Sequence, residues 1–280
     1  MRNGHLTGEK RRRKKRQSGT DSVTGYVIVM KVDDSIKRRY EELAERAYSE
    51  NRFLFTDFLD MSQLSSFYEM ERELSYAGTL VSGGADGCER CMIRFGSPET
   101  AGYEEAFPID ILRISPLQKK FSDELTHRDF LGSIIGLGLE RTKIGDIVVR
   151  DNEAYVFVMD SIGDYITETL NKVKHTSVKV EKCSEVPEQL APNFSEESII
   201  VSSNRLDAVI AKVYNLSRDL AVRCISEGRV YINGREMTGN AKSLKAGDIV
   251  SVRGKGKFIF ESEGGTTRKD KLYISIKRYI

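Results

Sequence analysis

The sequence predicts an α+β protein built from three folded units, and three observations carry that prediction. Helical periodicity dominates residues 30–78. From about residue 90 the pattern changes to β-β-α-β-β-α-β. Beyond residue 199 two short apolar-striped helices are followed by strands punctuated by glycine. A chain of 280 residues is long enough for two or three domains. With 39% hydrophobic and 31% charged residues it can build cores and keep a solvated surface.

The elements follow in order. Residues 1–29 read as a disordered basic tail, because Gly, Ser and Thr surround the run KRRRKKR. In DSIKRRYEELAERAYSE (34–50), Ile36, Tyr40, Leu43 and Ala47 recur at three- and four-residue spacing, which predicts a helix. A second helix is expected over Ser62–Leu74, with FLFTDFLD between the two as a turn with large apolar anchors. The helical domain is placed at 30–78. Gly-rich residues 79–100 mark a boundary or hairpin.

A middle α+β domain is placed at 79–184. CMIRF and FPIDILRI read as strands, and Thr126 is an N-cap with Asp129 in the capping-box position of the helix FLGSIIGLGLE. GDIVVR and AYVFVMD are strands joined by Asp151-Asn152-Glu153; SIGDYITETLNKV is a helix and TSVKVEKC a strand. The later part of this order resembles the split βαβ, RNA-recognition-motif-like (RRM-like) arrangement. Tyr155 and Phe157 alternate with valines and could stack on bases, although packing in a core or at a domain interface is the favoured alternative.

Residues 185–198, with two Pro and several Glu, are expected to be a linker before a C-terminal domain at 199–280. There Ser202 or Ser203 could cap a helix starting near Asn204, with Leu206, Val209, Ile210 and Val213 as its apolar stripe. Ser217 is a second N-cap, and Leu220, Ala221, Cys224 and Ile225 are expected to face the core, with Gly228 as the stop. Asn233-Gly234 is a strong hairpin signal, and Gly247-Asp248 a further turn before the strands IVSVR and KFIF.

Charge is unevenly spread. The net value is +2, yet residues 1–20 carry eight Lys/Arg against one Glu and residues 205–257 carry eleven against five Asp/Glu, leaving the remainder at −11. Two basic zones on an acidic body point to a polyanionic partner, nucleic acid first. No apolar run of 18 residues and no secretory signal are present, and four cysteines in a chain this long do not make a disulfide scaffold. A cytoplasmic, membrane-free setting is expected.

Several chemical signals are weak. Cys88-x-x-Cys91 has no second pair at zinc-like spacing, so no metal is expected, and a redox disulfide stays an alternative. His127-Arg128-Asp129 copies a kinase triplet, but the expected Asn falls on Ile134 and no kinase Gly-rich loop is present. No Walker loop, dinucleotide fingerprint or nucleophile elbow appears. No cofactor and no small-molecule substrate are expected.

The series Arg205-Leu206-Asp207, Ser217-Arg218, Ala221, Gly228, Val230, Ile232-Asn233-Gly234 and Gly247-Asp248 resembles the S4 RNA-binding domain over about residues 205–253. Leu220 stands where that family often has a basic residue. FTDFLD (55–60), LTHRDFLGSIIGLGLERTKIGDIVV (125–149) and NRLDAVIAKVYNLSR extend the likeness to the bacterial YlmH-like proteins over roughly residues 34–260. Met61 follows FTDFLD where relatives tend to have Pro. Residues 1–29 fall outside the likeness: either Met30 is the start or the tail is a basic arm, and the intact mass of the native protein separates the two.

The resemblance implies a helical N-terminal domain, an RRM-like middle and a C-terminal S4 domain. It implies a protein without enzymatic activity that binds structured rRNA or tRNA on the large ribosomal subunit during ribosome-associated quality control. Helix N-termini and guanidinium forks suit phosphate, so the expected RNA-binding residues are Arg205, Ser217, Arg218, Arg223, Asn233, Lys242, Arg253, Lys255 and Lys257. Two alternatives remain open. One is an RNA-modifying enzyme of the pseudouridine-synthase kind using Asp207, although Asp207 reads as a first-turn carboxylate beside the helix dipole. The other is a scaffold linked to cell division, which the resemblance also carries.

Overall fold

A computed structural model describes residues 21–280, with side chains from residue 34 onward apart from Phe121 and Gln189. The basic run of the expected tail lies outside the described residues. The first helix, α1 (Asp21–Ser49), begins inside the stretch expected to be tail.

The N-terminal unit pairs α1 with α2 (Met61–Leu74) across a small sheet. Tyr40, Leu43, Ala44 and Ala47 lie on one face of α1 and are buried, as their spacing predicts. Asp60 caps α2: its carboxylate accepts the Ser62 and Gln63 N–H groups at 2.9 and 3.0 Å, and Gln63 Oε1 accepts the Asp60 N–H at 2.9 Å. The sheet joins β1 (Leu54–Phe55), β2 (Thr79–Ser82) and β3 (Met92–Phe95) in the order β1-β3-β2. Ile93 and Phe95 pack with Phe67 and Tyr40 in one core. The unit is therefore not purely helical, and its boundary lies beyond residue 78. A two-residue strand is too short to carry an alternation, which is why β1 reads as a turn. The strand CMIRF belongs here, not in the middle domain. The short helix α3 (Pro98–Ala101) follows.

The middle unit comprises β4 (Ile109–Pro116), α4 (His127–Ile135), β5 (Ile144–Arg150), β6 (Glu153–Met159), α5 (Asp160–Thr169), β7 (Lys172–Val173) and β8 (Thr176–Lys182). Its antiparallel sheet has the order β5-β6-β4-β8-β7. Thr126 and Asp129 form the expected cap of α4, the carboxylate accepting the Thr126 N–H at 2.8 Å and its hydroxyl at 2.6 Å. One sheet face buries Leu112, Ile114, Val156 and Val158 against Phe130, Ile134 and Ile166 of the helices. On the other face Ile111, Tyr155 and Phe157 pack with Phe58 and Met92 of the N-terminal unit and with Leu190. Tyr155 and Phe157 thus sit at an interface, closed to bases.

The C-terminal unit begins earlier than expected. Within the predicted linker, β9 (Phe194–Val201) pairs along its length with β14 (Leu272–Tyr279). The Pro and Glu content hides its alternation, and its partner lies more than seventy residues on. Between them come α6 (Leu206–Val213), α7 (Arg218–Ser226), β10 (Val230–Ile232), β11 (Arg235–Glu236), β12 (Ile249–Val252) and β13 (Gly256–Thr266). The sheet order is β11-β10-β12-β13-β14-β9. Leu206, Val209, Ile210 and Val213 meet Ala221, Cys224 and Ile225 over this sheet. Leu220 does not join them: it is 44% exposed, because the buried stripe of α7 runs 221-224-225 and residue 220 lies a hundred degrees round the helix.

Polar contacts, as well as the apolar ones, join the units. Arg90 donates to the carbonyls of Phe58 (2.9 Å), Ile144 (2.9 Å) and Arg141 (3.3 Å), tying the first unit to the second. The β10–β11 turn rests on α2: Glu236 N donates to Ser65 Oγ at 2.8 Å, and Arg235 reaches the Tyr68 carbonyl and Glu71. Gly234 has φ +78°, and a Cβ there would meet the Tyr68 ring at 2.5 Å, so both backbone and space require glycine.

Candidate nucleic-acid interface

The helix α6 starts at Leu206, and neither Ser202 nor Ser203 caps it: Arg205 stands at the N-cap, without a side-chain cap bond. The first free N–H groups are instead taken by backbone carbonyls, Leu206 N by Lys242 (2.8 Å) and Asp207 N by Asn240 (3.3 Å). These donors are therefore not open to a phosphate.

What the helix start presents is a pair of guanidinium groups. The Asp207 carboxylate is only 3% exposed. It accepts Arg205 Nε and Nη2 at 3.2 Å each, Arg218 Nη2 at 2.7 Å and the Ala208 N–H at 2.9 Å. Burial raises the pKa of Asp207, but the bonds from Arg205 and Arg218 outweigh it and hold the carboxyl below the ordinary carboxylate value. The side chains of Arg205 and Arg218 are 42% and 46% exposed. One buried negative charge thus fixes two positive forks whose remaining N–H groups face solvent. Such an array suits phosphate oxygens. Ser217 caps α7, its hydroxyl accepting Leu220 N at 3.2 Å, and so sets the position of Arg218.

The structure brings Arg205, Ser217 and Arg218 together, with the Lys242 backbone beside them. Arg223 and Lys242 are exposed. The other predicted residues lie elsewhere. Asn233 bonds Asp248 (2.9 Å) and the Ile249 N–H (2.8 Å), so its side chain locks the hairpin. Lys257 turns inward, donating to the Gly87 carbonyl and lying 4.7 Å from the Tyr279 ring centroid. Arg253 lies 3.8 Å from Asp60, and Lys255 is exposed on the same β12–β13 turn. Sequence reasoning undervalued Asp207: its signal was the eleven-residue step to Arg218, which places both on adjoining helix starts.

A cleft of about 340 Å³ lies between the middle and C-terminal units, lined by Cys88, Glu89, His127, Asp146, Lys257 and Tyr279 among others. Burial, with Asp146 nearby, pushes the Cys88 and Cys91 thiols up to about 12, which favours the protonated thiol. Among the described residues no group of three His, Cys, Asp or Glu is placed to hold a metal ion, and no helix is long and apolar enough to cross a membrane.

The family described as "Putative RNA-binding domain in YlmH" matches residues 103–186, the middle unit. The Ribosome-associated protein quality control protein P2 of Bacillus subtilis (strain 168) is 28% identical over 239 residues, spanning 81% of this chain and 88% of that protein. The solved Cell division protein ylmH from Streptococcus pneumoniae aligns with a TM-score of 0.44 at 20% identity, covering 54% of this chain and 90% of that one. The chain is thus similar to YlmH-like proteins, through a family match over the middle unit and a relative aligned over most of both chains.

Proposed function

We propose that this chain is a cytoplasmic, non-catalytic RNA-binding protein whose C-terminal S4 domain grips structured rRNA or tRNA on the large ribosomal subunit. The observation that carries the reading is the Asp207-anchored pair Arg205 and Arg218, a preformed fork for backbone phosphates. Two helices over a small antiparallel sheet are in keeping with an S4 domain. A middle sheet with its first and third strands central is in keeping with an RRM-like domain. The related Bacillus protein's name supports a place in ribosome-associated quality control. Asp207 serves as an anchor in this reading: both its oxygens are engaged and its carboxylate is buried, which speaks against a nucleophile or general base.

The test is cosedimentation with purified large subunits, with and without P-site peptidyl-tRNA, across a salt series. Wild-type binding should weaken with salt. The double variant R205A/R218A, checked by thermal unfolding because it strands the buried Asp207, should bind about tenfold or more weakly while folded, given charge-assisted bonds of about 1.5–3 kcal/mol each. No wild-type binding to either subunit form would overturn the ribosomal reading.

A further inference from the structure

The middle unit carries a second arrangement of the same kind. Glu153 opens β6, and its carboxylate is 8% exposed. It accepts Arg113 Nε at 2.8 Å and Nη2 at 2.7 Å, and Lys119 Nζ at 2.5 Å. The two cations remain 43% and 60% exposed. A buried carboxylate needs one compensating charge; this one has two, so the cluster shows net positive charge to solvent, as at Asp207.

Its place on the sheet matters as much. Arg113 on β4 is opposite Tyr155 on β6 and Glu181 on β8. Glu153, Tyr155 and Phe157 share one face of β6, and Ile111 and Arg113 share that face of β4. One half of the face, around Ile111, Tyr155 and Phe157, is closed by Phe58, Met92 and Leu190. The other half carries Arg113 and Lys119, with Ser115 opposite Lys179. Glu181 lies there too, its carboxylate paired with Lys179 at 2.7 Å, a neutral pair that leaves the excess charge with Arg113 and Lys119. Arg113 Nη1 makes no hydrogen bond among the described residues and is left to donate outward.

We propose that Arg113 and Lys119, anchored by Glu153, form a phosphate-binding site for the RNA sugar-phosphate backbone on the open half of the middle sheet. The proposal rests on the RNA-binding reading above and adds a second point of attachment. Contact is with phosphate, because the aromatic rings that could stack bases are covered.

Removing both cations would strand the buried Glu153, so two milder variants of the full chain serve. K119Q leaves the Arg113–Glu153 pair intact. R113Q/K119Q/E153Q neutralises the whole cluster and keeps its polar side chains. Each is titrated against an unmodified tRNA transcript and against purified large subunits over a salt series, with thermal unfolding as the check on folding. K119Q is expected to weaken binding a few-fold and lower the slope of log K against log salt by about 0.7–0.9, the loss of one phosphate contact. The triple variant should weaken binding further, by about tenfold. Slope and affinity unchanged in both folded variants, while R205A/R218A still weakens binding, would overturn the second site and leave the RNA reading standing. Absence of salt-dependent RNA binding by the wild type would overturn both.

Discussion

The two anchored cation pairs differ in what holds them and what they offer. Asp207 sits in the first turn of a helix and also accepts its neighbour's N–H, so it is fixed by backbone as well as by Arg205 and Arg218. Glu153 sits at a strand start and is fixed by Arg113 and Lys119 alone among its ion pairs. The first pair presents two planar forks; the second presents one fork and one ammonium on a flexible stem. Two guanidinium groups define both place and orientation for a phosphate, whereas a guanidinium and an ammonium define mainly place. On the proposed reading, the C-terminal pair would give a specific grip and the middle pair electrostatic support.

Removing the anchors should have the largest effect and shows how far the two differ. Asp207→Ala strips three side-chain hydrogen bonds, two from Arg205 and one from Arg218, and sets the two guanidinium groups against each other. They are half exposed, so solvent screens part of the cost, and about 2 kcal/mol of stability should be lost. Glu153→Ala should cost about 1 kcal/mol, since Arg113 and Lys119 can swing into water. Urea unfolding of both variants checks the order. Equal losses would mean that the helix start adds nothing to the Asp207 anchor.

Exchanging the cations sharpens the comparison next. Arg218→Lys keeps the charge but loses the fork, and should weaken RNA binding about three- to tenfold with little change in salt slope. Lys119→Arg should be neutral or slightly favourable. Filter binding with a tRNA transcript measures both. If Arg218→Lys is silent, charge alone serves at the C-terminal pair and the distinction collapses.

Acid should weaken both anchors together. At Asp207 and at Glu153, burial acts to raise the carboxyl pKa, but the paired cations outweigh it, so each folded-state value lies below its unfolded one. The resulting stability is fully present well above the unfolded values of about 4 and is lost as pH falls through them toward the folded values. The urea midpoint should therefore drop between about pH 5 and 3. E153Q should show a shallower drop than wild type, and a parallel profile would remove Glu153 from the set of paired carboxylates.

Why one pair was visible in the sequence and the other was not follows from distance along the chain. Arg205, Asp207 and Arg218 lie within two adjoining helix starts, and the stripes Leu206-Val209-Ile210 and Ala221-Cys224-Ile225 mark those helices locally. Arg113 and Glu153 are brought together by strand pairing across forty residues, and Glu153 reads as the last residue of a turn. The same physics hid β9, whose partner β14 comes at the end of the chain, and β1, which is two residues long. Asn233 and Lys257 carry side chains suited to RNA, but nothing local reveals that Asp248 and the Gly87 carbonyl occupy them.

The smallest effect concerns one of the contacts between the C-terminal unit and the first. Arg235 pairs with Glu71 at 3.0 Å, both 48% exposed, and also reaches the Tyr68 carbonyl. An exposed pair of this kind contributes about 0.5 kcal/mol, so Arg235→Ala should barely move the unfolding midpoint. It leaves Arg205, Arg218, Arg113 and Lys119 untouched, so the number of phosphates each pair engages, and with it the salt slope, should also stay the same. Salt-dependent titration of this variant against large subunits is the measurement. A fall in slope as great as that of K119Q would mean that the two pairs reach one RNA only while the β10–β11 turn is seated on α2, making their separation, and not only their chemistry, part of the recognition.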